Sequence, residues 1–226
     1  MQDRIYLLSL EEAFQENQAE NLLKMAYERL DRERVRRAEQ IKQEKKRIQS
    51  VGAGLLLQLA VQEAQKEPGQ EMIALTFAEL FQRLKKPALL EYTYGKNGKP
   101  YFRNFPYYFS LSHSEGYAVC AFSQEEIGAD IQQQRPCDVD GLARRFFSEQ
   151  ERIRLEQKSL YQERMQLFYK LWCRKEAYGK LTGEGIAGSV KADLSSEAGK
   201  KVRLRDISAP EGYFLTICKW RGERDR

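Results

Sequence analysis

The sequence predicts an α+β protein built from two α+β units of similar size. Three observations predict it. A first stretch is rich in helix formers, short segments from residue 90 onward are rich in aromatic and β-favouring residues, and helices followed by strands return after Pro136.

Taken in order, Glu11 to Arg47 is dense in Glu, Gln, Lys and Arg and holds no proline or glycine, and the first 85 residues read as helical. Ile48, Val51, Gly52, Leu55 and Leu59 recur at helical spacing, which predicts a buried stripe on a helix running to about Gln65. Lys66-Glu67-Pro68-Gly69 stops it, and a further helical stretch from about Glu71 to Lys86 ends before Pro87. Leu90–Tyr94, Tyr107–Leu111, Tyr117–Phe122 and Ile127–Gln132 then read as strands separated by Gly, Asn and Ser. Ser148 with Glu151 forms a capping box that opens a helix, and a longer helix from about Gln162 to Leu181 is closed by Gly183. Lys201–Ile207 and Tyr213–Lys219 read as closing strands. The junction is expected near residues 95–106, giving halves at 1–103 and 104–226.

The 226 residues suffice for two small cores, and 42% hydrophobic with 31% charged residues is a soluble globular composition. The apolar run Ile5–Leu10 is six residues long. That is too short for a signal peptide or for the roughly 18 residues of a membrane span, so a cytoplasmic protein is expected. Cys120, Cys137, Cys173 and Cys218 form no CxxC pair and match no zinc spacing, which points to reduced thiols. His113 is the only histidine, so any two-histidine mechanism is excluded. The net charge of +5 (38 basic, 33 acidic residues) favours a polyanionic ligand or an acidic partner without demanding either.

Three islands could carry chemistry. Tyr94-Gly95-Lys96-Asn97-Gly98-Lys99-Pro100-Tyr101 is a turn able to bring a lysine and backbone amides to a phosphate, and it serves equally as a plain hairpin with solvated lysines. Ser112, His113 and Ser114 cluster donors at a strand end, suited to an anion. Beyond them Asp130 and Gln132 lie two apart on a strand and share one face. Two oxygen-bearing side chains there suit a hard cation such as Mg²⁺; the alternative is a surface aspartate ending an edge strand. No GxSxG elbow accompanies His113, so a Ser-His-Asp hydrolase does not fit. Trp172, Glu176 and Lys180 share one helix face. Glu176 and Lys180 make either a surface ion pair or, with the tryptophan signalling partial burial, a carboxylate that completes the cation site and a lysine near a leaving phosphate. The basic stretch Arg32–Arg47 reads as a solvated helix face whose end, through Ser50 and Gly52-Ala53-Gly54, could clamp a phosphate.

In order and spacing these islands resemble the Sfp-type 4'-phosphopantetheinyl transferases. The carriers of the resemblance are Gly98-Lys99-Pro100, Ser112-His113-Ser114, Gly128-Ala129-Asp130-Ile131-Gln132, the helix start Phe146-Phe147-Ser148-Glu149-Gln150-Glu151, and Trp172 to Lys180. The resemblance implies a pseudo-twofold pair of α+β halves in one monomeric chain. It implies transfer of the 4'-phosphopantetheine arm of coenzyme A to a serine of an apo acyl or peptidyl carrier protein, with release of 3',5'-ADP and with Mg²⁺ at the pyrophosphate. Carried over, Asp130, Gln132 and Glu176 would be metal ligands, Glu176 also the base for the carrier serine, and Lys180 the residue that helps 3',5'-ADP leave. Lys99, Ser112 and His113 would contact the coenzyme A phosphates, and Lys46, Arg47 and Ser50 would form the 3'-phosphate clamp. Broad carrier specificity, of the kind used in nonribosomal peptide or polyketide biosynthesis, is the accompanying expectation. Gln132 departs from the family's G-x-D-x-E, removing one negative charge and predicting weaker Mg²⁺ affinity or a preference for Mn²⁺. A degenerate member that binds coenzyme A or a carrier without transfer is the competing reading. A basic nucleic-acid binder using Arg32–Arg47 would leave the three islands unexplained, so neither nucleic acid nor membrane is expected as a partner.

Overall fold

The computed structural model describes residues 3–15, 18–66, 72–95, 97–185, 188, 192–194 and 197–222. The chain has the α+β class read from its sequence. It divides into two compact units, Met1–Thr93 with Pro100–Glu125 and Tyr94–Lys99 with Glu126–Arg226.

The N-terminal unit is organised by a strand that helical reading of the first 85 residues misses. β1 (Arg4–Ser9) is the apolar run itself, buried along nearly its whole length, as expected for a strand with partners on both sides. It pairs in parallel with β2 (Met72–Leu75) and antiparallel with β6 (Tyr117–Ser123), which also pairs with β5 (Tyr108–Ser114), giving the order β2-β1-β6-β5. β3 (Tyr92–Tyr94) and β4 (Pro100–Phe102) form a separate two-stranded ribbon, whose Lys99 is largely buried rather than solvated. β5 and β6 complete the β1 sheet, so the first compact unit runs on through Glu125 while Tyr94–Lys99 groups with the second.

β2 occupies part of the stretch expected to be helical from Glu71. The helix there, α4 (Phe77–Arg83), begins only after the capping box of Thr76 and Glu79. Glu67, Pro68, Gly69 and Glu71 lie outside the described residues. Of the remaining helices, α1 (Ala19–Tyr27) and α2 (Arg32–Glu39) flank the central α3 (Glu44–Gln62). α3 carries more than a buried stripe: every residue from Val51 to Val61 is buried, between the sheet on one side and the other helices on the other. Gly52 and Gly54 are packing contacts. A Cβ at Gly52 would stand 2.8 Å from Leu10 Cδ2, and one at Gly54 2.9 Å from Leu30 Cδ2, so this pair is not a phosphate clamp.

The C-terminal unit is an antiparallel sheet in the order β7-β9-β8 (Ile127–Gln133, Tyr213–Trp220 and Val202–Ile207), covered by the helix α7 (Tyr161–Thr182). α5 (Val139–Phe146) and α6 (Glu149–Glu156) pack on α7 through Phe147, Leu155 and Phe168. Gly183, left-handed at φ 74°, ends α7 where the sequence places its stop. The four cysteines are free thiols, and all but Cys137 are buried. No helix among the described residues is long and apolar enough to cross a membrane.

Candidate active site

The site grows from the contact of β7 with α7. Gly128 is the point of closest approach: a Cβ there would lie 2.0 Å from the Ala177 carbonyl oxygen and 2.5 Å from the Leu181 nitrogen. Only a residue without a side chain lets the helix backbone rest on the strand in this way. Two residues on, and so on the same face, Asp130 is 2% exposed beneath the last turns of α7. One of its carboxylate oxygens, Oδ1, accepts from Lys180 Nζ at 2.8 Å, and Oδ2 accepts from Gln132 Nε2 at 2.9 Å. The shared face of Asp130 and Gln132 predicted from the period of two is thus observed, as is the meeting of Lys180 with that face.

Glu176 stands one helical turn before Lys180 and is half-buried. Burial pushes its carboxyl above the usual carboxylate range. The charge of Asp130 adds to the rise and the Lys180 ammonium opposes it. Trp172, one further turn back, is half-buried and stacks on Phe168 with ring centroids 5.8 Å apart, as its reading as a sign of partial burial requires. Below the site the Cys173 thiol donates to the Asp130 carbonyl oxygen at 3.0 Å. Farther along the same helix, Arg174 makes two hydrogen bonds of 3.0 and 2.6 Å to Asp206 on β8, a second polar tie between α7 and the sheet.

Sequence reasoning missed the residue behind Glu176. Lys175 is 1% exposed and pairs with Glu151, also 1% exposed, at 2.9 Å; it donates to the Ala192 carbonyl oxygen at 2.8 Å and lies over the Phe147 ring. Glu151 is already bound by the backbone nitrogen of Ser148, so the capping box on α6 and the lysine on α7 share one carboxylate. The signal available in the sequence was the capping box alone, which reads as local. Lys175→Met strands a buried carboxylate and is expected to cost about 3 kcal/mol in urea denaturation, most of which Lys175→Met with Glu151→Leu regains.

Lys99 sits at the C-terminal end of α7, against the residue that follows Lys180. Its ammonium donates to the Leu181 carbonyl oxygen at 2.5 Å and lies 3.5 Å from Glu126. Burial lowers its proton affinity, against the pull of Glu126. Lys96, from the same turn, lies outside the described residues. The other expected phosphate contacts belong to the N-terminal unit. Lys46, Arg47 and Ser50 are in the first turns of α3, and Ser112 and His113 are at the end of β5. Glu115, in the left-handed conformation at φ 46°, forms the turn that follows, and Lys45 and Gln49 fasten it to α3 at 2.5 and 3.0 Å. Ser112 is buried and His113 exposed; Arg47 donates to the Ile41 carbonyl oxygen at 3.0 Å.

Among the described residues no three His, Cys, Asp or Glu side chains gather as a metal group. With an amide at Gln132, the carboxylates at this face are Asp130 and Glu176. The donor set nevertheless fits a hard cation: two carboxylates and an amide that can turn its oxygen inward, with the Glu176 carboxyl held above its ordinary range by burial and, secondarily, by the charge of Asp130.

The C-terminal unit is thus a helix laid on an antiparallel sheet, holding an aspartate, an amide, a glutamate and a lysine at its seam. Residues 126–222 match the family described as the 4'-phosphopantetheinyl transferase superfamily, and over this region the chain is similar to those proteins. It is 41% identical over 136 residues to the 4'-phosphopantetheinyl transferase psf-1 of Bacillus pumilus, covering 54% of this chain and 57% of that one. A 4'-phosphopantetheinyl transferase of Bacillus subtilis is 36% identical over 145 residues (58% of this chain, 64% of that one). The 4'-phosphopantetheinyl transferase Sfp of Bacillus subtilis strain 168 is 31% identical over 134 residues (54% and 59%). The chain spans somewhat more than half the length of these relatives.

Proposed function

We propose that this chain transfers the 4'-phosphopantetheine arm of coenzyme A to a serine hydroxyl of an apo carrier protein, releasing 3',5'-ADP. The observation that carries the reading is the Asp130, Gln132, Glu176 and Lys180 constellation, in the region similar to the transferases. In the reaction the serine oxygen forms a bond to the β-phosphorus of coenzyme A, and the bond from that phosphorus to the bridging oxygen of 3',5'-ADP breaks. Such a transfer needs positioning and charge neutralisation more than covalent help from the protein. Mg²⁺, held by Asp130, Glu176 and the Gln132 amide oxygen, would neutralise the pyrophosphate. Glu176, whose environment raises its proton affinity, takes the serine proton. Lys180 supplies positive charge to the departing 3',5'-ADP. Lys99, Ser112, His113, Lys46, Arg47 and Ser50 are the proposed phosphate contacts, and the cytoplasm, where coenzyme A is available, is the proposed site of action.

The test is the intact mass of an apo carrier protein after incubation with this chain, coenzyme A and Mg²⁺: a gain of one phosphopantetheine arm is expected. Coenzyme A binding without gain on any of several carriers would favour the second reading, a degenerate binder, for which the loss of a carboxylate at Gln132 is the supporting observation. Gln132→Glu is expected to lower the Mg²⁺ concentration at half-maximal rate by about tenfold, since one added negative charge near the cation is worth on the order of 1.4 kcal/mol at the screening of a partly buried site. A titration of rate against Mg²⁺ that does not move with the substitution refutes a direct role for this position in cation binding.

A further inference from the structure

Lys180 reaches into the carboxylate that would hold the cation. Its ammonium is 2.8 Å from Asp130 Oδ1, and the Gln132 amide is 2.9 Å from Oδ2, so both oxygens of a 2%-exposed aspartate are satisfied by N–H donors. The lysine side chain itself is 29% exposed and comes from the end of a flexible stem, whereas Asp130 is fixed in a paired strand opposite Thr216. Of the two partners, the lysine is the one able to leave. A divalent cation on Asp130 and an ammonium on the same carboxylate repel each other at short range.

We infer that Lys180 is a tethered competitor of the cation: it neutralises Asp130 from within the chain, a divalent cation entering at Asp130 and Glu176 displaces it, and the displaced ammonium becomes the group offered to the substrate phosphates. The cation thereby does two things at once, supplying its own charge and releasing a second positive group that is otherwise spent on Asp130. Gln132 follows the same exchange, its amide giving up an N–H donated to Asp130 and turning its carbonyl oxygen to the cation. A third carboxylate at position 132 could not make that N–H donation, and the neutral amide suits a site that must be stable with its lysine in place. The inference rests on the proposed cation site but not on the transfer reaction, and it is tested without coenzyme A or carrier.

The experiment is Mn²⁺ binding followed by electron paramagnetic resonance on the full chain, wild type against Lys180→Met and Lys180→Gln. Tighter binding by on the order of tenfold in both variants is expected, because the competing charge is gone. Unchanged or weaker binding in the variants overturns the inference, as does a failure of all three proteins to take up Mn²⁺. Should the variants not fold, the wild type decides: acetylation of Lys180 by a small amine-reactive activated acetyl ester, read by peptide mass spectrometry, is expected to quicken several-fold when Mg²⁺ is added. A rate unaffected by Mg²⁺ overturns it. The carrier mass assay stands apart from these outcomes, since arm transfer with no change in Lys180 reactivity would retain the proposed function and discard the exchange.

Discussion

Glu176→Gln is expected to leave the chain folded and to reduce arm transfer by about 10²–10⁴-fold, the range of a lost general base. The fold should survive because the substitution removes a carboxyl that the structure already strains electrostatically: it is half-buried, and the charge of Asp130 pushes its proton affinity up. An amide of the same shape carries neither the cost of desolvating a charge nor the repulsion from Asp130. Melting of the variant is therefore expected at or slightly above the wild-type temperature, a direction opposite to that of a structural acid. Coenzyme A binding measured by calorimetry without Mg²⁺ should change little, since the phosphate contacts proposed in the N-terminal unit and at Lys99 are untouched. Transfer within a few-fold of wild type would remove Glu176 from the chemistry. Loss of both folding and transfer would recast it as a structural residue.

The parts of this site that were legible in the sequence are those set by local periodicity. Asp130 and Gln132 share a face because strands alternate, and Glu176 and Lys180 share one because a helix turns every 3.6 residues. The capping box at Ser148 and the stop at Gly183 were legible for the same reason: each is a short-range hydrogen-bonding or dihedral requirement written in a few neighbouring residues. What brings Lys180 to Asp130 is a pairing across 50 residues, which no local pattern encodes. The motif order supplied it by resemblance instead. β1 was missed because a six-residue apolar run has no period of its own, and its partners, β2 and β6, lie far along the chain. β5 and β6 belong to the sheet that β1 founds, which is why the first compact unit extends through Glu125. Lys99 was legible as a lysine in a turn, but the carbonyl it binds, at Leu181, was not.

Gly128 is the residue whose replacement should cost the fold most. A Cβ built there falls 2.0 Å from the Ala177 carbonyl oxygen, 2.5 Å from the Leu181 nitrogen and 3.0 Å from the Leu181 Cα. The oxygen of residue 177 and the nitrogen of residue 181 are the i and i+4 ends of one helical hydrogen bond, so the added carbon would press on backbone and not on a side chain that could rotate away. Either α7 lifts from β7 or the bond breaks. Gly128→Ala is expected to lose about 3 kcal/mol or more, the upper part of the range for overpacking, and Gly128→Val to prevent the C-terminal unit from folding. Gly98→Ala is the control. Its φ of 83° makes the substitution strained, but a Cβ there meets nothing within 4 Å, so about 1 kcal/mol is expected. The same displacement has a chemical consequence: an ångström of lift separates Lys180 and Glu176 from Asp130, so in Gly128→Ala arm transfer should fall by more than the folded fraction does. Urea denaturation read beside the carrier mass assay measures the two losses together. A Gly128→Ala protein that unfolds at the wild-type urea concentration would mean that α7 and β7 are not pressed backbone to backbone, and the placement of Asp130 beneath α7 would need another cause.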